Sequence, residues 1–424
     1  MLYQQDISAC LAEQGGPGGL DPDRLEALIA KAKGAVEGLR RRHADAGLPL
    51  LVLPSRRDDL RALGAIAERL KREFRAVVVL GTGGSSLGAQ ALCALAPRGA
   101  EPRLHFPDNL DGHDFGDLLG VLEPGQTVFL VISKSGGTAE TLAQALAAIA
   151  WLKAALGDDG VSGHLLAITE PGDNALRRLA EHWRFAGLDH DPNLGGRFSV
   201  LSLVGLLPAL AAGLDAAAVR RGAAEVLEQV LQDDRAPPVL GAAVQVGLAA
   251  RHGVTGTVTL GYDSRLERLA HWHRQLWAES LGKNGAGLTP IAALGPVDHH
   301  SQLQLWLDGP ADKFFTAITI DDPAPGPVID TGLGGNDPAL AYLDGRSFAT
   351  IVQAQARATA ETLTTRGRPV RRIALARLDE RGLGALFMHY MLETIVAAHL
   401  MGVNPFDQPA VEDAKVLTRR YLEP

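Results

Sequence analysis

Uncharged runs alternate with apolar positions at helical spacing along most of this chain. Residues 76–80 and 128–132 are uncharged runs, and each is followed by a loop of small residues and then a helical pattern. Runs of this kind are typical of buried parallel strands. Further strands are predicted at 103–106, 165–169, 255–261, 288–294, 314–320 and 371–375, two of which begin with arginine. We therefore predict an α/β fold in which helices wrap parallel sheets.

The remaining stretches are predicted to be helical or exposed. Residues 1 to about 75 show helical patterns, and a long apolar helix is expected at about 382–401. The uncharged run 198–214 contains Pro208 and is shorter than the ~20 residues of a membrane-spanning helix, so we predict a buried core helix. Residues 322–345 are rich in Pro, Gly and Asp and are predicted to form a surface loop.

Composition narrows the class of protein. The 424 residues are enough for two or more domains, and 46% hydrophobic with 21% charged residues is ordinary for a soluble globular protein. A net charge of −8 disfavours non-specific nucleic-acid binding. The two cysteines have no metal or redox spacing, and the N-terminus lacks the basic and then apolar pattern of a signal peptide. We expect a cytoplasmic protein with no nucleic-acid and no membrane partner.

The loop 133–138, with the sequence Ser-Lys-Ser-Gly-Gly-Thr, lies between a predicted strand and a predicted helix. Free backbone N–H groups at a helix N-terminus, three hydroxyls and one ammonium suit a phosphate monoester. The alternative is a helix capped by Thr138 with Lys134 in solvent. A second loop of this kind favours the phosphate hypothesis.

That second loop, 81–88, has the sequence Gly-Thr-Gly-Gly-Ser-Ser-Leu-Gly. A dinucleotide-binding fingerprint needs glycine where Ser86 stands, and it needs an acidic residue about 20 positions further on, which is also missing. Ser85 could instead donate to a phosphate, and the alternative is a tight strand-to-helix turn. Both loops are expected at the carboxyl ends of their strands, where ligands of such sheets bind.

Two charged residues lie near predicted helix ends that disfavour their charge. Arg197 precedes the 198–214 run, and Glu279 is in the last turn of a helix that ends near Gly282. Arg197 either forms a buried structural ion pair or faces an anionic substrate or intermediate. Glu279 either pairs with Lys283 at i,i+4 or serves as a general base.

Two more candidates come from the second half of the chain. Adjacent side chains on a helix point about 100° apart, so we do not predict a metal shared by His299 and His300. One of the two could transfer protons while the other is structural or exposed. Lys415 either pairs with Glu412 at i,i+3 or reaches back into a site.

Taken in order, these motifs resemble the glucose-6-phosphate isomerase family in its shorter bacterial form. The resemblance runs from about residue 76 to the C-terminus, through 81–85, 133–138, 195–199, 279–283, 298–301 and 404–408 with Lys415. Two positions depart from the family pattern. Thr82 stands where isoleucine is usual, and His299 stands where glutamine is usual.

The resemblance implies two sugar-isomerase (SIS) domains, each a doubly wound parallel sheet flanked by helices. We expect an N-terminal helical segment at 1–45, the first SIS domain at 46–210, the second at 211–400, and a C-terminal helix at 401–424 that contributes to the site. The resemblance also implies a homodimer with the site at the domain and subunit interface. It implies no cofactor and no metal.

The resemblance further implies a role for each candidate. The phosphate would be held by small and polar residues of the two loops, namely Gly84, Ser85, Ser133, Lys134, Ser135 and Thr138. Glu279 would move a proton between C2 and C1, and Arg197 would stabilise the enediolate. Lys415 would assist at the ring oxygen, and His300, donated by the partner subunit, would handle ring opening. Gln408 would line the sugar site.

These roles meet the needs of interconverting glucose 6-phosphate and fructose 6-phosphate, a step of glycolysis and gluconeogenesis. A base moves the proton, a fixed cation stabilises the anionic intermediate, and the phosphate supplies binding energy away from the reacting carbons. Two alternatives stay open. One is a non-catalytic sugar-phosphate sensor, which would not need Glu279. The other is a related isomerase that acts on mannose or amino-sugar phosphates.

Overall fold

The computed structural model describes residues 2–335 and 337–423, and within them ten strands form two five-stranded sheets. The strands are β1 Tyr3–Asp6, β2 Ala76–Leu80, β3 Arg103–His105, β4 Thr127–Ile132, β5 Leu165–Thr169, β6 Ala186–Asp189, β7 Gly256–Gly261, β8 Thr289–Leu294, β9 Lys313–Ile320 and β10 Val370–Leu375.

Helices separate most of these strands and cover the sheets. They are α1 Ala12–Gly15, α2 Pro22–Ala44, α3 Pro49–Val52, α4 Leu60–Glu73, α5 Leu87–Cys93, α6 Gly112–Val121, α7 Ala139–Val161, α8 Ala175–Trp183, α9 Leu203–Ala211, α10 Ala216–Gln232, α11 Pro237–His252, α12 Glu267–Leu281, α13 Leu303–Asp308, α14 Phe348–Thr365, α15 Glu380–Met401 and α16 Glu412–Leu422.

The first sheet has the order β3-β2-β4-β5-β6, and all its neighbouring strands are parallel. Alternate residues of β2 and β4 enter two separate apolar clusters, one on each face. Val78 and Phe129 pack towards α7 and α8, whereas Val77 and Leu130 pack towards α4 and α9. A sheet buried on both faces needs apolar side chains at every position, which explains the uncharged runs in the sequence.

The second sheet repeats this order. Its four parallel strands lie in the order β8-β7-β9-β10, which corresponds to β3-β2-β4-β5 of the first sheet. Strand β1 adds an antiparallel edge beside β10. The chain order therefore reverses between β2 and β4 in the first sheet and between β7 and β9 in the second. Ligands of such sheets bind outside the carboxyl ends of the strands at these points. The predicted α/β fold with doubly wound sheets is confirmed.

Three sequence predictions need correction. Tyr3–Asp6 is a strand rather than part of a helical region, because it pairs with β10. The strand Ala186–Asp189 was not predicted. The buried run 198–214 is not one helix, because a 3₁₀ segment, Gly196–Leu201, precedes α9 and Ser202 caps α9 through its hydroxyl.

Two helical stretches, Ala139–His164 and Glu380–Met401, are long and apolar enough to span a membrane by length and composition alone. The second is α15, which is almost wholly buried and packs against α2, α10, α11 and α12 as the central core helix. The first includes α7, whose buried residues pack on the first sheet. The predicted loop 322–345 contains two short 3₁₀ turns and is mostly exposed, with Asn336 outside the described residues.

Candidate active site

A cavity of about 430 Å³ lies at the carboxyl ends of β2 and β4. The loops after both strands line it, together with the last turns of α12 and the start of α16. Its lining residues are Thr82, Gly84, Ser85, Lys134, Ser135, Thr138, Glu170, Gly195, Gly196, Arg197, Gln275, Glu279, Phe406, Gln408, Glu412 and Lys415. Nine of the eleven predicted site residues are among them. Ser133 and His300 are not.

The loop 133–138 presents polar side chains at the start of α7. Thr138 occupies the N-cap position, but its side chain makes no capping hydrogen bond to the helix. Its hydroxyl lies 2.9 Å from the hydroxyl of Ser133, which is buried beneath the loop. Lys134 is half-buried, and its ammonium donates to the carbonyl oxygen of Pro192 at 2.7 Å. The helix N-terminus and one ammonium therefore face the same space, which suits an anion.

The glycine loop after β2 has no room for side chains at one point. A Cβ atom on Gly84 would lie 2.2 Å from the carbonyl carbon of Gly196. Only glycine permits this close approach of two backbones. The approach brings Ser85 and Arg197 to the same cavity.

Arg197 is almost fully buried, and its guanidinium is held by several groups. It donates to Gln408 Oε1 at 2.7 Å, to Glu279 Oε2 at 3.2 Å and to Ser280 Oγ at 2.8 Å. Burial lowers its pKa, while Glu279 and Asp407 oppose that shift. Arginine stays charged in proteins, so this is a fixed cation at the cavity wall. Both hypotheses for Arg197 are therefore compatible with the geometry, because the ion pair itself lies in the cavity.

The carboxylate of Glu279 is held through both oxygens and is about 31% exposed. Gln275, one helical turn earlier on α12, donates to Glu279 Oε1 at 2.9 Å, and Arg197 binds Oε2. The alternative of an ion pair between Glu279 and Lys283 does not occur. Lys283 binds carbonyl oxygens and the Asp407 carboxylate instead.

The C-terminal segment closes another wall of the cavity. Gln408, Glu412 and Lys415 line it, and Lys415 also pairs with Glu412 at 2.7 Å. The i,i+3 pair and the approach to the site, proposed as alternatives for Lys415, are thus both present.

The two histidines differ in their surroundings. His299 is half-buried, with Nε2 2.9 Å from the Tyr262 hydroxyl and 3.3 Å from the Thr359 hydroxyl. His300 is exposed on the segment after β8 and lies outside the cavity of its own chain. His299 is therefore held by hydrogen bonds to residues of the second half of the chain, whereas the side chain of His300 is accessible to solvent.

Four polar residues of the cavity, Thr82, Glu170, Gln275 and Glu412, are not among the predicted site residues. Gln275 lies four residues before Glu279, so the i,i+4 spacing on a helix could have identified it. Glu170 follows β5, and its backbone N–H donates to the Lys134 carbonyl oxygen at 3.0 Å. Nothing in its local sequence distinguishes it from an ordinary strand-end residue.

Comparisons with known proteins agree with this geometry. The family model described as phosphoglucose isomerase matches residues 62–290. A glucose-6-phosphate isomerase of Rubrobacter xylanophilus is 39% identical over 411 residues, which cover 95% of this chain and 94% of that protein. A glucose-6-phosphate isomerase of Thermus thermophilus is 38% identical over 81% of this chain and 83% of that protein.

Solved structures share the whole architecture. A hypothetical protein of Thermus thermophilus has a TM-score of 0.86 at 33% identity, with 100% of both chains covered. A glucose-6-phosphate isomerase of Chlamydia trachomatis has a TM-score of 0.80 at 22% identity over 95% of this chain and 86% of that one, which shows the same fold. The family model covers more than half of the chain and the Rubrobacter relative nearly all of it. The loops 81–88 and 133–138, Arg197 and Glu279 surround one cavity, in agreement with these matches. The chain belongs to the phosphoglucose isomerase family.

Proposed function

We propose that this chain interconverts glucose 6-phosphate and fructose 6-phosphate by opening the sugar ring and moving one proton through an enediolate. One observation carries the proposal. The Glu279 carboxylate and the Arg197 guanidinium lie 3.2 Å apart in the same cavity as the 133–138 loop. A base, a fixed cation and an anion-binding loop are the groups that this reaction requires. Family membership and the names of the relatives support the same substrates.

The phosphate is assigned to the 133–138 loop and the glycine loop. Lys134 supplies the charge, and Ser85, Ser135 and Thr138 supply hydroxyl donors together with the N-terminus of α7. Ser133 lies beneath the loop and holds Thr138 in place. Binding energy from this phosphate, remote from the reacting carbons, orients C1 and C2 at the Glu279 end of the cavity.

Glu279 is assigned as the base that takes the proton from one carbon and returns it to its neighbour. The hydrogen bond from Gln275 fixes the carboxylate, and Arg197 stabilises the negative charge that develops on the enediolate oxygens. Gln408 shares the Arg197 guanidinium and lines the sugar site. Neither a metal nor a nucleotide is part of this mechanism.

Ring opening is assigned to Lys415 and His300. Lys415 acts at the ring oxygen, and His300 reaches the cavity from a second copy of the chain, because it is exposed and lies outside the cavity of its own subunit. Exposed apolar side chains on α16, Val416, Tyr421 and Leu422, support a homodimer. Burial of these side chains against a second copy of the chain would remove apolar surface from water.

The domain division is a proposal of the same kind. Residues 46–210 contain the first sheet, 211–400 contain β7–β10, and 401–424 contribute α16 to the site. Residues 1–45 are treated as a separate segment, which also supplies the edge strand β1 of the second sheet. We further propose that the protein acts in the cytoplasm, in glycolysis and gluconeogenesis.

The experiment is the conversion of glucose 6-phosphate to fructose 6-phosphate in the presence of a chelator. We expect activity in wild type and a loss of about 1,000-fold or more in Glu279→Gln, since the amide cannot accept the proton. Glu267→Gln, at the exposed first turn of the same helix, serves as the matched control and keeps full activity.

Three results would contradict parts of the proposal. A folded wild type that binds the sugar phosphate without converting it would favour a sensor. Conversion of mannose 6-phosphate or an amino-sugar phosphate in preference to glucose 6-phosphate would replace the substrate. An active Glu279→Gln variant would remove Glu279 as the base.

A further inference from the structure

Lys283 lies just beyond α12, and all three protons of its ammonium are used. It donates to the carbonyl oxygens of Glu279 at 3.0 Å, Ser280 at 2.8 Å and Asn404 at 2.6 Å. Its side chain is only 12% exposed. An ammonium has three donors and no acceptor, so its bonding capacity is filled by two separate parts of the chain.

The partner of Lys283 is the segment 404–408, here called the tether loop. Asp407 Oδ1 lies 3.2 Å from the Lys283 ammonium, and Asp407 Oδ2 accepts from Asn404 Nδ2 at 2.8 Å. From the other side, Arg197 donates to the carbonyl oxygens of Pro405 at 2.6 Å and Asp407 at 3.0 Å. Two cations therefore fix this loop to the end of α12.

The chain after the tether loop has few other features that fix its position. Every residue from 409 to 423 is exposed, and α16 buries no side chain. Yet Glu412 and Lys415 on α16 line the cavity that contains Glu279. Within one subunit, the position of Lys415 is therefore set mainly through the tether loop.

We propose that Lys283 is a positioning residue that fixes the tether loop to α12 and so holds Lys415 opposite Glu279. The proposal rests on the proposed function, in which Lys415 acts at the ring oxygen. Lys283 touches neither the Glu279 carboxylate nor the cavity. Its effect on the reaction passes through the geometry of the C-terminal segment.

The test compares Lys283→Met with Lys313→Met. Lys313 is a matched control because its side chain is 14% exposed and also pairs with an aspartate, Asp312, far from the cavity. We expect Lys283→Met to speed hydrogen exchange of amides in 404–422 at least tenfold and to leave exchange in 133–138 unchanged. Misplacement of a catalytic group by about 1 Å costs roughly 100-fold, so we expect kcat to fall by about that factor.

A double variant separates positioning from general stability. If Lys283 acts through Lys415, then Lys283→Met should cost less than about threefold in a Lys415→Met background, because coupled sites are not additive. Lys283→Arg, which keeps the charge, should recover part of the lost kcat. If the two single losses multiply in the double variant, the proposal is overturned.

A second variant, Asp407→Asn, tests the same contact if Lys283→Met fails to fold. If Lys283→Met does not fold, Asp407→Asn removes only the carboxylate charge from the tether loop and should still speed exchange in 404–422. Unchanged exchange there, in either folded variant, overturns the proposal. Exchange is measured without turnover, so an inactive wild type would refute the proposed function while this measurement still decides whether Lys283 holds the loop.

Discussion

The two sheets share one strand order but build different crevices at their reversal points. In the first sheet, the chain leaves β4 through the loop 133–138, with hydroxyls and Lys134 beside a helix N-terminus. In the second, the chain leaves β7 through Tyr262 and Asp263 and leaves β9 through Asp321 and Asp322. A crevice of about 370 Å³ lies there, lined on one side by Phe348 and other apolar residues of α14.

The polar groups that line the second crevice differ from those of the first. Asp263 caps the start of the following 3₁₀ turn and binds the guanidinium of Arg265 at 2.8 Å, so that cation is already neutralised. Arg98 also lines this crevice, whereas the two carboxylates that follow β9, Asp321 and Asp322, are not among its lining residues. Strand topology thus provides a crevice twice, and the loops that follow the strands give the two crevices different polar groups.

The cores beneath the sheets differ as well. The layer between the second sheet and α15 contains a buried ionic network in which Arg371 Nη1 lies 2.6 Å from Glu393 Oε1. Gln245 also donates to Glu393, and Tyr3 bonds His389 at 2.6 Å, which anchors β1. The second sheet packs on this network and serves as a scaffold that carries α12 and its Glu279.

The largest expected effect tests that scaffold role. Arg371→Met leaves the buried Glu393 carboxylate without its cation, so we expect the free energy of unfolding to fall by about 3–5 kcal/mol. Arg372→Met is the matched control, since Arg372 is the next residue of β10 and its pair with Asp6 is exposed, worth about 0–1 kcal/mol. Urea unfolding measures both. Equal losses in the two variants would refute the distinction.

The next effect compares the two crevices directly. Lys134→Met removes the ammonium from the first crevice, and a hydrogen bond to a charged group is worth about 1.5–3 kcal/mol, so we expect kcat/KM to fall roughly 100-fold. Arg265→Met makes the matching change in the second crevice and should alter kcat/KM less than about twofold. Steady-state kinetics measures both variants. A larger loss of kcat/KM for Arg265→Met than for Lys134→Met would indicate that the phosphate binds at the second sheet, which contradicts our assignment.

The smallest effect concerns acid stability of the second core. Burial lowers the pKa of His273 from 6.5 to about 3, so the folded protein holds this side chain neutral while the unfolded chain protonates it below pH 6.5. The unfolded state binds more protons in this window, and stability must fall as the pH falls from about 6.5 towards 3.

Below about pH 6, this residue should contribute roughly 1 kcal/mol of lost stability per pH unit. His273→Gln should therefore show a shallower dependence of unfolding free energy on pH, by about that slope. Parallel curves for variant and wild type would show that His273 is not kept neutral in the folded protein.

Much of the first sheet could be predicted because its strands are buried on both faces. Residues 76–80 and 165–169 match β2 and β5 residue for residue. The short edge strands β1 and β6 were missed because their sequences, Tyr-Gln-Gln-Asp and Ala-Gly-Leu-Asp, have no apolar run. Strand β1 depends on a partner, β10, that lies more than 360 residues away in the chain.

The local sequence predicts the 133–138 loop as part of the candidate site, and in the structure this loop lines the cavity. The local sequence does not predict hydrogen-bond partners that come from distant parts of the chain. Local spacing suggested that Lys283 pairs with Glu279, yet the approach of the 404–408 segment supplies Asp407 and the Asn404 carbonyl instead. Similarly, the break at Ser202 in the apolar run 198–214 follows from a side-chain cap that apolar periodicity does not report.

The central claim is that Glu279, at the crevice of the first sheet, moves a proton between neighbouring carbons. It is tested most directly by running the isomerisation in D₂O and locating deuterium in the sugar phosphates by NMR. A carboxylate base exchanges its proton with solvent, so we predict deuterium at C1 of fructose 6-phosphate and at C2 of glucose 6-phosphate with wild type, and none with Glu279→Gln. Conversion over many turnovers without any deuterium, or equal incorporation by the variant, would contradict the account.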